Sequence, residues 1–400
     1  MRNWLDKKIA YVEHPTRRNA PLNPVIVGFQ NFIENDATIY MGFHQMFEQV
    51  PTKPPYKDDP TGKPQVRDYK LMLRLFNHVI STAPAYEDDD LVGFPINAIL
   101  DWPMGTPAGL AMFTRPDVNE HFHKMFEVWA AFLSSEESTI VLNDSPSGWF
   151  GPPASEAIPN FAETYVCDPS APHYGFTSWD HFFTRLFREG VRPIPFSDDD
   201  RVINSACESA AYRIAYNVKA TDSFWLKGQP YSLEHMLHFD EDAPKFANGT
   251  VFQASLSATK YHRWHAPVNG RIRRIVKVPG TYYAESPFEG FPDPDAAGPN
   301  LSQAFITSIA ARALIFIEAN NADIGLMCFM AVGMAEVSTC EVTVKVGEEI
   351  RKGDQLGMFH FGGSTHCLIF RPETKVKFAP EVTIEADIKL NAAIAMVESA

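Results

Sequence analysis

The chain has 400 residues and carries 49 Asp and Glu against 35 Lys and Arg, which gives a formal net charge of −14. This acidic excess disfavours nucleic acids and anionic membrane surfaces as partners, because both repel a negatively charged protein. With 45% hydrophobic and 21% charged residues, the composition is typical of a globular protein long enough for two or three domains.

The cysteines and the distribution of apolar residues indicate the compartment. The five cysteines are scattered, odd in number and without a Cys-x-x-Cys pair, which disfavours structural disulfides and a zinc knuckle. The start of the chain has no apolar core of signal-peptide length, and no run of about 18 apolar residues follows. We therefore expect a cytoplasmic protein with free thiols, no metal and no stable membrane insertion.

The first part of the chain predicts helices. Residues 1–24 are polar and indicate a loosely held arm, and residues 25–142 show the apolar spacing of amphipathic helices. Apolar runs of this spacing extend over Val25–Ile33, Ile39–Val50 with Asp36 as its cap, Val66–Ile80, Ile96–Leu100 and Val118–Leu133, with a linker at 51–63. Their aromatic stripes are typical of a packed core, so we assign this helical extension domain no chemistry.

The second part of the chain predicts mainly strands. Residues 143–175 are rich in Pro, Ser and Gly and indicate a linker. A helix is predicted over Ser178–Arg188, and a short one over Ser232–His238. Strand-like segments occupy Val202–Ala206, Tyr212–Val218, Val251–Ala254, Arg271–Val278, Ala313–Glu318, Gly325–Val332, Glu341–Val346 and Val376–Ile384. The prediction is an α+β fold in which residues 176–400 form a β-rich domain, with a lid or surface loop between Tyr283 and Gly298.

A Gly-Gly-Ser-Thr sequence at residues 362–365 lies between two apolar runs, Met358–Phe361 and Cys367–Phe370. Its structural interpretation is a hairpin turn with a glycine bulge. Its chemical interpretation is a strained Gly-Ser bond that attacks itself, because the Ser364 hydroxyl can add to the Gly363 carbonyl and convert the amide into an ester. Elimination would then leave a pyruvoyl group at position 364, a ketone suited to amine chemistry.

Three stretches resemble the phosphatidylserine decarboxylase family. They are His173–Ile194, the two-histidine segment Tyr261–Gly270 and the Gly-Ser segment Gly357–Thr365. The resemblance covers residues 170–390 in order. The N-terminal residues are similar to the helical extension of the fungal branch that includes the tryptophan decarboxylase of psilocybin biosynthesis.

The resemblance implies a self-derived cofactor. Ser364 would become the pyruvoyl group, with no pyridoxal phosphate and no metal. The chain would be cut into residues 1–363 and 364–400. We expect the two fragments to stay associated, because the smaller one contains strand-like segments whose apolar faces must remain buried.

The resemblance also implies the site residues. His265 matches the histidine that activates the serine, and His262 matches the one implicated in decarboxylation. Glu208 stands where the family has an aspartate and would orient His265, as the acid does in a serine triad. Without the resemblance, backbone-bonded histidines and a surface carboxylate are serious alternatives, and a His-x-x-His pair alone lacks the three or four ligands of a zinc site.

The favoured function is a pyruvoyl-dependent decarboxylase of a small amino acid, with L-tryptophan or another aromatic amino acid as the favoured substrate and a tryptamine-type amine and CO₂ as products. One alternative is a phosphatidylserine decarboxylase that makes phosphatidylethanolamine. Another is an uncleaved serine hydrolase that uses Ser364, His265 and Glu208, or a β-rich binding module. Trp264, Tyr282 and Tyr283 could line an aromatic pocket, although such residues usually pack in β-rich cores. The sequence predicts no oligomeric state.

Overall fold

The computed structural model describes residues 2–50, 66–87, 94–222, 230–285, 302–336 and 338–398. The predicted linker at 51–63 and most of the predicted loop between Tyr283 and Gly298 lie outside these residues. Helices dominate the N-terminal part and strands the C-terminal half, which confirms the α+β prediction.

The helices follow the apolar periodicity of the sequence. Asp36 caps the third helix as predicted, because its Oδ1 accepts hydrogen bonds from the backbone N–H groups of Thr38 and Ile39. The helices are α1 (Arg2–Glu13), α2 (Pro24–Asn35), α3 (Ala37–Glu48), α4 (Tyr69–Val79), α5 (Pro95–Met104), α6 (Pro107–Phe113), α7 (Pro116–Leu133), α8 (Pro152–Ala157), α9 (Phe161–Thr164), α10 (Trp179–Phe183), α11 (Leu233–Met236) and α12 (Gln303–Ile309).

The segment expected to be a loose N-terminal arm is instead largely helical. Leu5 and Val12 of α1 are buried, and Glu13 forms an ion pair with Arg74 of α4 at 2.5 Å. Leu5, Ile9 and Val12 recur at helical spacing, so the apolar face of α1 is covered by α4 despite the polar composition of the segment.

The residues predicted as a linker, 143–175, pack into the helical core. Trp149 and Tyr165 are buried there, and the Trp149 ring lies 4.9 Å from that of Trp179. Pro and Gly shorten the helices of this segment, but its aromatic side chains hold it in place. The boundaries of the predicted domains stay a prediction.

Within the described residues, the strands form three antiparallel sheets. Their bounds are β1 (Val202–Asn204), β2 (Ser209–Val218), β3 (Gly249–Leu256), β4 (Arg263–His265), β5 (Gly270–Val278), β6 (Arg312–Ala319), β7 (Leu326–Met334), β8 (Cys340–Val342), β9 (Glu349–Ile350), β10 (Gln355–Phe359), β11 (Gly363–Phe370), β12 (Val376–Phe378), β13 (Asp387–Ile388) and β14 (Ala393–Val397). The large sheet has the order β13-β2-β3-β11-β7-β6-β5-β9, and the small sheets are β1-β14-β12 and β4-β10-β8.

Strand β11 lies between β3 and β7 in the large sheet and is buried throughout. Ser364 is opposite Leu256 of β3 and Gly333 of β7. The hairpin interpretation of residues 358–370 is therefore wrong, because β10 pairs with β4 and β8 in another sheet. Alternate residues of β11 pack into two different cores, Leu368 into one and Cys367 into the other.

Several predicted elements end earlier than expected, and the largest differences are in one helix and one strand. The helix predicted over Ser178–Arg188 ends at Phe183, and the Arg185 guanidinium donates hydrogen bonds to the carbonyl oxygens of Thr259 and Lys260. The strand predicted over Val376–Ile384 ends at Phe378, two residues before Pro380, which cannot donate to a ladder.

The helical extension packs against the β-rich half beside Ser364. Phe361, two residues before Gly363, shares the helical core, and its ring lies 5.3 Å from that of Trp129 of α7. The turn after β7, which contains Ala335, Glu336 and Ser338, contacts α5. The first N–H groups of α5 donate hydrogen bonds to the Glu336 carboxylate. In the described part of the chain, no helix combines the length and apolarity that a membrane crossing requires.

Candidate active site

The segment before Ser364 requires glycine. Gly362 has a φ of 152°, a conformation that side chains disfavour, and a Cβ there would fall 2.2 Å from Ser338 Oγ. The Ser338 N–H donates a hydrogen bond of 2.7 Å to the Phe361 carbonyl oxygen. The turn after β7 therefore lies directly against the bond between Gly363 and Ser364.

The Ser364 hydroxyl is buried without a partner. The residue is 1% exposed, and its Oγ makes no hydrogen bond. The next hydroxyl, that of Thr365, donates to the Ala254 carbonyl oxygen at 2.9 Å. Leaving a buried hydroxyl unpaired costs about 1–3 kcal/mol, so position 364 holds a polar group that the fold does not stabilise.

Ser338, which the sequence did not single out, supplies a donor beside the bond. Its Oγ lies 3.5 Å from the Gly363 carbonyl oxygen and contacts the carbonyl oxygens of Met334 and Ala335. A hydroxyl donates one hydrogen, which these three oxygens share. The Gly363 carbonyl is the group that Ser364 would attack, so Ser338 is placed to stabilise charge on it.

His262 lies beside the same segment. Its ring is fully buried and stacks on Phe183 at 3.9 Å. Its Nε2 lies 3.4 Å from the Ala258 carbonyl oxygen, two residues beyond the Leu256 that pairs with Ser364. Because a carbonyl only accepts, Nε2 carries the hydrogen and Nδ1 keeps a lone pair, which has no partner. Burial, aided by the charge of Arg185, lowers the pKa of His262 to about 3.

His265 is held by two hydrogen bonds. Its Nδ1 lies 2.6 Å from the Gly353 carbonyl oxygen, and its Nε2 lies 3.0 Å from the Tyr261 hydroxyl. The carbonyl fixes the hydrogen on Nδ1, so Nε2 accepts the tyrosine hydrogen. Burial lowers the pKa of His265, and the neutral ring therefore has the tautomer of a general base, with Tyr261 on its lone pair.

Glu208 lies elsewhere than the resemblance implies. Its carboxylate accepts two hydrogen bonds from the Arg192 guanidinium, at 3.0 and 2.5 Å, and one from the Leu390 N–H at 2.7 Å. The acceptor that orients the His265 ring is the Gly353 carbonyl instead. The longer side chain of glutamate reaches Arg192, so Glu208 ties β2 to the segment before β14.

Glu336 is a second residue that the sequence analysis missed. It is fully buried in the turn after β7, and its Oε1 accepts from the N–H groups of Ile96 and Asn97 at 3.0 and 3.1 Å. Burial raises its pKa to about 8, although these two N–H groups act in the opposite direction. A lone acidic residue at the end of the apolar run 326–337 was the available signal.

His360 lies three residues before Gly363 and is bonded to two carboxylates. Its Nδ1 is 2.8 Å from Asp180, and its Nε2 is 2.8 Å from Glu341. Burial acts to lower the pKa of His360, but its bonds to Asp180 and Glu341 outweigh burial and raise it to about 9. His360 is therefore charged at neutral pH and fixes the chain that enters β11.

A cleft of about 740 Å³ opens between α7 and the end of β5. His123, Lys277, Tyr282 and Ser338 are among its lining residues, so it reaches the turn that covers the Gly-Ser bond. Within the described ranges, no three His, Cys, Asp or Glu side chains are grouped to hold a metal ion.

Two family profiles, both described as phosphatidylserine decarboxylase, match residues 23–158 and 179–396. The second extends over more than half of the chain and includes the strands from β1 to β14, apart from the last residue of β14. The chain belongs to the phosphatidylserine decarboxylase family.

Fungal decarboxylases are among its similar relatives. The L-tryptophan decarboxylase of Psilocybe cubensis is 38% identical, over 93% of this chain and 86% of the relative. The decarboxylase iboD of Amanita muscaria is 44% identical over 77% of this chain and 92% of the relative. Phosphatidylserine decarboxylase proenzyme 3 of Schizosaccharomyces pombe is 31% identical over 60% of this chain and 23% of the relative. The chain is a decarboxylase of this family, and its predicted resemblance is confirmed.

Proposed function

We propose that the protein is a pyruvoyl-dependent amino acid decarboxylase that cuts itself between Gly363 and Ser364 and acts on L-tryptophan or another aromatic amino acid. The observation that supports self-cleavage is the unpartnered, buried Ser364 hydroxyl next to two glycines. The names of the Psilocybe relatives support the substrate. The proposed location is the cytoplasm.

In maturation, Ser364 Oγ bonds to the Gly363 carbonyl carbon and the Gly363–Ser364 C–N bond breaks, which gives an ester. Elimination removes the Ser364 Cα hydrogen as a proton and breaks the Cβ–Oγ bond, which releases the Gly363 carboxylate and leaves a double bond between Cα and Cβ. Water then replaces the amino nitrogen, which departs as ammonia, and a pyruvoyl group remains. Ser338 donates to the Gly363 oxygen while charge develops there.

The proton of Ser364 needs an acceptor, and the resemblance assigns it to His265. The Gly353 carbonyl already sets the required tautomer of that ring. For the reaction, Nε2 must give up its hydrogen bond with the Tyr261 hydroxyl and accept one from the Ser364 hydroxyl. Glu208 would act on His265 through the backbone, since the His265 N–H donates to the Ala206 carbonyl oxygen at 2.8 Å. His262, with a free Nδ1 beside the segment, is proposed to transfer a proton in the decarboxylation step.

The residues around Ser364 fit a pyruvoyl group, because position 364 is buried and its oxygen has no partner in the fold. The ketone of such a group takes up the substrate amine and withdraws electrons from the bond between Cα and the carboxylate. Phe361 and Phe183 exclude water from the neighbourhood, which strengthens every charge interaction there.

The fragment 364–400 would stay associated after cleavage. It contains β11, which is paired on both sides with strands of fragment 1–363. It also contains β14, which pairs with β1. Removing the fragment would expose the two hydrophobic cores into which Leu368 and Cys367 of β11 pack.

A phosphatidylserine decarboxylase in the strict sense is the second candidate, because both matching profiles carry that description. It shares the maturation chemistry, so a substrate assay separates the two. The purified enzyme is incubated with L-tryptophan, L-phenylalanine or phosphatidylserine vesicles, and CO₂ is measured. If CO₂ is released from phosphatidylserine and from neither amino acid, the substrate is the lipid and the proposed amino acid substrate is wrong.

Intact mass spectrometry tests maturation. We expect two species split between Gly363 and Ser364, the smaller one blocked to Edman degradation and without its N-terminal amine. Ser364→Ala is expected to give one uncut chain and to release no CO₂, because it has no attacking oxygen. An uncut native protein that reacts with a fluorophosphonate would support the serine hydrolase alternative and contradict the proposal.

A further inference from the structure

Glu336 has one carboxylate oxygen that the fold does not use. Oε1 accepts from the two N-terminal N–H groups of α5, whereas Oε2 has no hydrogen-bond partner. The residue is 0% exposed, so Oε2 is shielded from bulk solvent. Buried carboxylate oxygens are normally paired, because an unpaired one forfeits its hydration.

The position of this oxygen is tied to the Gly-Ser bond by the turn after β7. Met334 is opposite Gly363 in the sheet, and Ser338 is bonded to Phe361. Ala335, Glu336 and Ser338 have φ values of 53°, 39° and 40°. These three non-glycine residues in the left-handed region cost free energy, and such backbone persists where the surroundings hold it for a function.

The walls near Glu336 are aromatic. The Glu336 N–H donates to the Tyr283 hydroxyl at 2.9 Å, and the Tyr283 ring lies 5.0 Å from that of Phe122. Phe361 stacks on Phe94, the residue before α5, at 6.2 Å. One unpaired acceptor among aromatic rings is complementary to an aromatic side chain that carries an N–H or O–H donor.

We propose that Glu336 is a specificity-determining residue, whose Oε2 accepts a hydrogen bond from the donor on the substrate's aromatic side chain, such as the indole N–H of tryptophan. This inference rests on the proposed function and adds the reason for substrate choice. The cleft is lined by Ser338, two residues after Glu336, so a substrate that enters it reaches Oε2 only when the fully buried turn after β7 moves. A site built around such a bond rejects analogues that lack the donor, because the carboxylate then stays unpaired.

The test compares L-tryptophan with 3-benzothienylalanine, in which sulfur replaces the indole N–H at nearly constant shape. Above pH 8, where Glu336 is a carboxylate, we expect native enzyme to prefer tryptophan about 10- to 100-fold in kcat/KM, the value of one hydrogen bond to a charged group. Glu336→Gln is expected to mature and to lose this preference, because its amide keeps the acceptor for α5 but presents N–H₂ instead of Oε2. Glu318→Gln, at an exposed carboxylate paired with Arg273, is the matched control and is expected to keep the preference.

The pH dependence of the native enzyme gives a readout that needs no variant. A donor on Oε2 favours the carboxylate form, and burial places the pKa of Glu336 at about 8 in the empty site. The preference for tryptophan should therefore rise as pH increases through about 8. Because the two substrates have nearly the same shape, groups that titrate elsewhere in the enzyme affect both kcat/KM values alike and cancel in their ratio. A preference near one, or one that Glu336→Gln retains, would overturn the inference while leaving the decarboxylase intact. A cleaved protein that releases CO₂ from neither amino acid would overturn the proposed substrate as well.

Discussion

Two regions of the β-rich half differ in how their polar atoms are satisfied. Around His265, both ring nitrogens, the Tyr261 hydroxyl and the Glu208 carboxylate all have partners. Around the start of β11, Ser364 Oγ and His262 Nδ1 have none. Tyr261 and Glu208 are buried, as Ser364 and His262 are, so the contrast does not follow from solvent access alone.

This contrast separates groups that the fold holds in one orientation, the His265 ring among them, from groups that it leaves without a partner. A satisfied buried network rigidifies a protein, and an unsatisfied group is retained where chemistry needs it. The start of β11 is accordingly the better candidate for covalent chemistry, and the region around Glu208 is the better candidate for stability. Variants in each region can break this assignment.

The largest effects are expected from the two histidines, exchanged separately for glutamine. His265→Gln should stay uncut, because it removes the base whose tautomer Gly353 sets. His262→Gln should mature but decarboxylate at least about 100-fold more slowly, as expected for the loss of general acid–base catalysis. Gel analysis scores cleavage and CO₂ release scores turnover. A cut His265→Gln with an uncut His262→Gln would reverse the two roles.

Ser338→Ala should slow maturation about 10- to 100-fold, because it removes a donor to the Gly363 oxygen. The measurement is the rate at which freshly purified precursor splits. Ser209→Ala is the matched control, since Ser209 is a buried serine in β2 whose oxygen lies 3.5 Å from the Cys207 carbonyl oxygen. An unchanged splitting rate in Ser338→Ala would contradict its role in maturation.

Glu208→Gln tests the satisfied region and should act mainly on stability. Glu208 and Arg192 are 5% and 16% exposed, and breaking such a buried pair costs about 3–5 kcal/mol. We expect a lower unfolding midpoint in urea with a mature, cleaved protein. A variant of native stability that stays uncut would restore Glu208 to the catalytic role implied by the family.

The smallest effect is expected from His360, which lies before β11 and is bonded to Asp180 and Glu341. Its pKa is raised from 6.5 to about 9, so its protonated form stabilises the fold. This stability is fully present below pH 6.5 and is lost as pH rises through about 9. His360→Gln should therefore lower the thermal midpoint at pH 6 and have little effect at pH 10. Equal differences at both pH values would show that the charge does not contribute.

Much of the fold could be predicted, because the spacing of apolar residues along the sequence agrees with the side chains that the structure buries. The helices α2, α3, α4 and α7 and the apolar strand β7 follow local patterns that packing confirms. The pairing of β11 could not be predicted, because two apolar runs separated by Gly-Gly look like a hairpin. The partners of β11 lie far away in sequence, and distant pairing leaves no local signal.

The site could be predicted only in part, for a similar reason. Ser364, Gly363 and the two histidines carry sequence signals, although their roles stay predictions. Ser338 carries none, and Glu336 carries only that of an acidic residue at the end of an apolar run, since their importance arises when the turn after β7 meets Gly362 and α5. The partner of Glu208 was missed because Arg192 lies in a loop segment without a regular pattern.

The central position of β11 has a consequence for quality control. The Gly363–Ser364 bond acquires its surroundings only when β3, β7 and the turn after β7 are in place. In a misfolded or truncated chain, Ser364 would be an ordinary solvated serine that cuts nothing. Maturation would then act as a folding checkpoint, in which a chain receives its reactive ketone once and only after its architecture is complete.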